Sequence, residues 1–184
     1  MKKFIYVMMV ALIVSASVKA QENGKNVIKI NPLGALLGSY SMSYERVVTN
    51  KSTLQFDANY GDINLFGLKI NSFGVGAGYR YYFSKTKSVP EGFFVSPSIA
   101  YSNVSLYLTS TPADKVSVGA LEGGVVAGYQ WIFNSGFQID LYVGPRFISV
   151  GTLSVPNENE DVDLYIGELS GIGTKLGFSI GYCF

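Results

Sequence analysis

The chain has no histidine among its 184 residues, a single cysteine, and charged side chains at only 15% of positions. Each shortage removes a chemistry. Without histidine there is no Ser-His or Cys-His nucleophile pair, no zincin-type site and no imidazole general base. The lone Cys183 allows neither an internal disulfide nor a cysteine-based zinc cluster. Balanced counts of 14 basic and 13 acidic residues lack the basic excess of a nucleic-acid binder. Long apolar runs are equally scarce. The one that stands out, Phe4 to Val14, has too few residues to span a bilayer as a helix. What is present in quantity is 48% hydrophobic residues, 21 glycines, 13 tyrosines and 12 phenylalanines, in a length that fits one domain.

That apolar run follows Lys2 and Lys3 and precedes Ser15-Ala16-Ser17-Val18-Lys19-Ala20, which together read as a secretory signal peptide over residues 1–20, cleaved before Gln21. No cysteine stands directly after the run, so no lipoprotein anchor is expected. Losing Lys2, Lys3 and Lys19 removes three of the 14 basic residues and none of the 13 acidic ones, so the exported chain carries a formal charge of −2. The remaining domain is residues 21–184.

The exported part is written with period two. Phe73, Val75, Ala77, Tyr79, Tyr81 and Phe83 alternate with Ser72, Gly74, Gly76, Gly78 and Arg80. The same alternation sets Leu121, Val125, Ala127, Tyr129, Trp131 and Phe133 against Glu122, Gly124, Val126, Gly128 and Gln130, and Phe137, Ile139, Leu141, Val143, Pro145 and Phe147 against Gln138, Asp140, Tyr142, Gly144 and Arg146. Strict alternation marks half-buried strands. It predicts eight of them, near 27–33, 39–48, 52–61, 68–84, 93–108, 116–133, 137–150 and 164–184. Tight turns at Thr49-Asn50-Lys51 and Asn134-Ser135-Gly136 contrast with longer polar connections at 61–67, 109–115 and 151–163. The predicted fold class is all-β, an eight-stranded antiparallel up-and-down transmembrane β-barrel.

A soluble lipocalin-like barrel in the periplasm shares that strand count but turns its apolar face inward; a membrane barrel turns it outward. Aromatics decide the expectation. Tyr79, Tyr81, Phe83, Phe93, Tyr129, Trp131, Phe133 and Phe137 all fall at strand ends on the short-turn side, as a periplasmic aromatic girdle requires and a scattered soluble core does not. The other face then holds Lys29, Glu45, Asp57, Arg80, Glu122, Asp140, Arg146 and Lys175, four bases and four acids. Charges inside a barrel this narrow must be paired or solvated. They are expected to form a lumenal charge network that fills and pins the interior; a conducting or ligand-binding lumen is the alternative. Inward glycines make room for the long side chains.

The final segment, with Leu176, Phe178, Ile180, Tyr182 and Phe184 on one face and an aromatic at its end, resembles the carboxy-terminal β-signal of bacterial outer-membrane proteins, which the barrel-assembly machinery recognises. The exported chain as a whole resembles the small eight-stranded barrels of the OmpA and OmpX type. Asn26-Val27-Ile28-Lys29-Ile30-Asn31-Pro32-Leu33 followed by Ser43-Tyr44-Glu45-Arg46 is similar to an uncharacterised outer-membrane β-barrel family. The resemblance implies a bacterial outer-membrane protein with both termini in the periplasm, a monomer whose partners are outer-membrane lipids, lipopolysaccharide and the assembly machinery. Cys183 faces inward in this register as a small filler.

Outer-membrane acyltransferases, deacylases, phospholipases and omptin proteases use a histidine this chain lacks, and no motif marks another nucleophile or acid/base pair. No enzyme activity, cofactor, metal or nucleic acid is expected. Glu158, Glu160, Asp161 and Asp163 gather oxygen ligands in the longest loop, where a divalent cation could sit, but their spacing matches no calcium loop. The functional expectation is a structural or surface-interaction barrel, with a narrow porin-like channel or small-ligand binder as the alternative.

Overall fold

The computed structural model describes residues 24–65, 68–84, 87–108, 111–155, 162–165 and 170–184. The proposed signal segment 1–20 lies outside the described residues. Strands β1 (Asn26–Ile30), β2 (Ser39–Thr49), β3 (Ser52–Leu65), β4 (Leu68–Tyr82), β5 (Gly92–Leu108), β6 (Thr111–Ile132) and β7 (Phe137–Val155) follow one another as antiparallel neighbours. Two collinear pieces, β8 (Val162–Tyr165) and β9 (Gly171–Cys183), supply the eighth barrel strand, both paired to β7. β9 then pairs with β1, from Val27↔Cys183 to Ile30↔Ile180, and closes an up-and-down barrel. Asn26 and Phe184 finish the seam by exchanging backbone hydrogen bonds of 3.0 and 2.8 Å.

Sidedness follows the alternation. Phe56, Phe73, Ile99, Tyr101, Val143 and Phe147 are exposed on the outside, whereas Lys29, Glu45, Arg80, Gln130, Gln138 and Asp140 are buried. The apolar face is therefore the outer one, the reverse of a lipocalin. Among the described residues no helix is long and apolar enough to cross a membrane.

On the rim that carries both chain ends, the near rim, β2 joins β3 and β6 joins β7 through tight turns, whereas residues 83–91 join β4 to β5. Gly136 adopts φ +83°, which favours glycine, and its N–H bonds to the Phe133 carbonyl at 2.8 Å. On the far rim the connections differ from the sequence expectation. β3 runs on to Leu65 before β4 starts at Leu68, β6 already begins at Thr111, and β7 extends to Val155. Much of what reads as polar loop is strand, because backbone pairing carries the ladders on to Leu65↔Leu68 and Leu108↔Thr111.

The first strand departs in the opposite sense. It stops at Ile30, not near 33, and Pro32–Leu36 form a short helix, α1. Asn31 caps it, its side chain accepting from the Gly34 N–H at 2.9 Å, and Pro32 occupies the first turn, where a missing N–H costs nothing. Gly38, at φ +84°, returns the chain to β2.

Outward aromatics gather at two levels, with Phe56 on the wall between them, and the sequence pattern marks the near-rim level. On the near rim Tyr81 meets Phe83 edge-on at 5.0 Å, Phe83 lies 5.9 Å from Phe93, Tyr129 stacks on Trp131 at 4.6 Å, and Phe133 lies 5.8 Å from Phe137. Nearer the far rim, Tyr40 pairs across the sheet with Tyr60, and Tyr60 with Phe73. Phe73 and Tyr81 on β4 are about 26 Å apart at ~3.3 Å per residue. A strand tilt of about 40° reduces that to roughly 20 Å along the barrel axis.

Candidate functional site

The interior is polar along its length but divides into two regions. In the near-rim half, six strands aim side chains at one point. Lys29 from β1 pairs with Glu45 from β2 and donates to Asp140 (β7) at 3.1 Å, Gln55 (β3) at 3.1 Å and Gln130 (β6) at 2.7 Å. Arg80 from β4 donates to Asp140 at 2.8 Å and to Gln130 at 3.2 Å. The Tyr82 hydroxyl and the Thr53 hydroxyl both donate to Glu45 Oε1, at 2.7 and 2.5 Å. Two cations face two carboxylates, each of the four at most 2% exposed, so the charges are balanced where water cannot screen them.

An apolar layer lies against this network. Phe94, Tyr82 and Val126 form a buried cluster flanked by Tyr142, with the Arg80 guanidinium 4.1 Å from the Phe94 ring centroid. Tyr142 faces Gly177 across the β7–β9 ladder and occupies the space a side chain there would need.

The far half holds a smaller constellation. Glu122 of β6 accepts from Arg146 of β7 through one carboxylate oxygen and from Lys175 of β9 through the other, both at 2.8 Å. Gly124 and Gly173 flank Arg146 in the register and Gly144 faces Lys175, so the long side chains extend over glycine. Here the groups are wet: Arg146 is 35% exposed, Lys175 25% and Glu122 18%. Asp57, half-buried on β3, accepts from Gln55 at 2.7 Å.

The eight charged residues picked out by alternation thus separate into a buried quartet (Lys29, Glu45, Arg80, Asp140), an open triad (Glu122, Arg146, Lys175) and Asp57. Gln130 and Gln138, on the inward face by alternation, complete the quartet's surroundings together with Thr53, Gln55, Tyr82 and Phe94, which the sequence pattern does not single out. All six share the inward parity of the charged residues but carry no formal charge. Of the near-rim aromatics, Tyr79, Tyr81, Phe83, Phe93, Trp131, Phe133 and Phe137 are exposed and Tyr129 is half-buried. Leu176 and Phe184 are exposed, with Phe178, Ile180 and Tyr182 half-buried between them. Cys183 is buried beside the Gly24 carbonyl.

On the near rim, Lys87 and Glu91 pair beside Trp131 and Phe133 around a hollow of about 530 Å³. The Glu91 hydrogen bond holds the Lys87 ammonium above its usual range. Among the described residues there is no group of three or more potential metal ligands from His, Cys, Asp and Glu. Glu158, Glu160 and Asp161 lie outside the described residues, and only the backbone of Asp163 is described.

A family profile described as "Protein of unknown function (DUF3575)" matches residues 6–184. The chain belongs to this DUF3575 family. No curated protein matches it. Among solved structures, the translocator domain of the autotransporter NalP from Neisseria meningitidis is similar, with a TM-score of 0.43 and 12% sequence identity over 93% of this DUF3575 chain. The chain spans 66% of that structure, just under two thirds of its length.

Proposed function

We propose that this DUF3575 chain is an integral protein of the bacterial outer membrane, with both termini in the periplasm, and that its role is structural or surface-interactive, neither catalytic nor conductive. The observation that carries the reading is the sidedness of the wall: a buried, charge-balanced interior inside an apolar exterior. In water such an exterior would be a continuous exposed apolar surface; in a bilayer it is the favourable one. Two aromatic levels roughly 20 Å apart match the girdles that flank a barrel's apolar band. The buried quartet and the Phe94 layer obstruct the lumen, and the absence of histidine supports a non-enzymatic role. Like the OmpA and OmpX type it resembles, the barrel acts as a monomer in contact with outer-membrane lipids and lipopolysaccharide.

Membrane fractionation followed by gel mobility in detergent with and without boiling tests the reading. Recovery in the outer membrane with a heat-dependent shift is expected; recovery in the soluble periplasm overturns it. Planar-bilayer recordings are expected to show no unitary conductance, and discrete channel steps would replace the closed barrel with the narrow-channel alternative. Phe184→Asp should block insertion by the barrel-assembly machinery while export proceeds, measured as periplasmic accumulation of the exported chain. Normal insertion of that variant would remove the β-signal from the account.

A further inference from the structure

The barrel wall is incomplete at one place. β1 ends at Ile30 opposite Ile180, yet β9 continues from Ser179 to Gly171 toward the far rim. Along that stretch β9 pairs with β7 on one side, and among the described residues no strand pairs with its other side. β2 likewise runs past the end of β1, from Ser41 to Ser39, and α1 sits between the two margins. No described backbone hydrogen bond joins α1 to β9. An open sheet edge at membrane depth is costly, because lipid offers no partner for its N–H and C=O groups.

The side chains on both margins are unusual too. Ile172 (86%), Leu36 (83%), Leu176 (81%) and Leu37 (74%) are the most exposed large apolar residues described, well above Phe73 and Ile99 at 56%. Behind the edge the wall is lined by glycine: a Cβ at Gly171 would meet nothing within 4 Å, and one at Gly173 would meet only the Arg146 side chain. Immediately inside are Arg146 and Lys175, two partly exposed cations sharing the single carboxylate of Glu122.

We infer that this gap is a lateral opening from the membrane into the far half of the lumen, and that it takes an anionic, phosphate-bearing membrane lipid. The headgroup phosphate sits against Arg146 and Lys175, while the acyl chains lie along Ile172, Leu176, Leu36 and Leu37. Arg146 and Lys175 are partly exposed cations beside the gap that share the Glu122 carboxylate, with Asp57 on β3 as the other acid of this half, and the exposed pair favours an anionic headgroup while the apolar margins favour a ligand with hydrocarbon attached to it. An added peptide strand would satisfy the edge but bring no anion to Arg146 and Lys175. The inference rests on the membrane reading above.

The test is native mass spectrometry of the folded protein released from nanodiscs containing equal amounts of phosphatidylglycerol and phosphatidylcholine, with heat-dependent mobility confirming the fold of every sample. The intact protein should retain phosphatidylglycerol about tenfold over phosphatidylcholine. Arg146→Met with Lys175→Met should abolish the preference, and Ile172→Ser with Leu176→Ser, which leaves the charges in place, should reduce retention of both lipids. Glu122→Gln should sharpen the preference, since it removes the competing carboxylate, and Lys51→Met on the opposite rim should leave it unchanged. Equal retention of the two lipids by the folded protein, loss of the bound lipid to millimolar inorganic phosphate alone, or a bound peptide in place of lipid would each overturn the lateral lipid site. A protein that never enters the nanodisc would instead overturn the membrane reading itself.

Discussion

The two halves of the lumen use the same residue types in opposite ways. Near the chain ends, Lys29, Glu45, Arg80 and Asp140 are sealed from water and balanced, two against two. Toward the far rim, Glu122, Arg146 and Lys175 are partly hydrated, with half-buried Asp57 as the second acid of that half. Burial raises the stakes of an ion pair: removing one partner strands an uncompensated charge, whereas a hydrated group is partly rescued by solvent. The sealed half is thus a lock on the fold, and the open half is free to exchange partners.

The most direct way to break the comparison is to remove one carboxylate from each half. Asp140→Ala should cost ~3–5 kcal/mol because it leaves Lys29 and Arg80 sharing one carboxylate in a dry interior. Glu122→Ala should cost about 1 kcal/mol or less. Urea titration in detergent micelles measures both, and equally small losses would mean that water reaches the near-rim half of the lumen. The boundary between the halves gives the next largest effect. Gly177→Ala must displace Tyr142 and should lose about 1–3 kcal/mol, while Gly171→Ala, on the same face of the same strand, has open space and should be nearly neutral; a similar loss at both sites would remove Tyr142 as the divider. The smallest effect sharpens the picture of the open triad. Glu122→Gln and Lys175→Met, made singly and together, should show a coupling of ~0.5–1 kcal/mol that shrinks with added salt. A coupling above about 2 kcal/mol would place the triad in the same dry regime as the quartet.

The sequence was most legible where one side of the wall differs from the other. Inward Arg80, Glu122 and Asp140, and outward Tyr81, Val125 and Leu141, follow from parity, and parity is local. It failed where the order of residues does not alternate. Thr111 to Val116 extend β6 although nothing in their order alternates apolar with polar. The end of β1 was misplaced for another reason. Ile30 and Leu33 look like one apolar strand, but Asn31-Pro32 is a helix start, and a capping side chain with a proline in the first turn outweighs the propensity of the residues around it.

Sequence alone determined which side chains face inward and which outward, because side-chain direction along a strand alternates regardless of what the strand pairs with. It also determined that the interior charges balance, four against four. Which of those charges meet was decided by the closed barrel. Lys29 reaches Asp140 and Gln130, more than a hundred residues away, only because closure and stagger bring β1 opposite β6 and β7 at that height. The exposed margin of β9 is likewise a product of tertiary structure, since a strand's edge is open or paired according to its neighbour, and here that neighbour stops at Ile30.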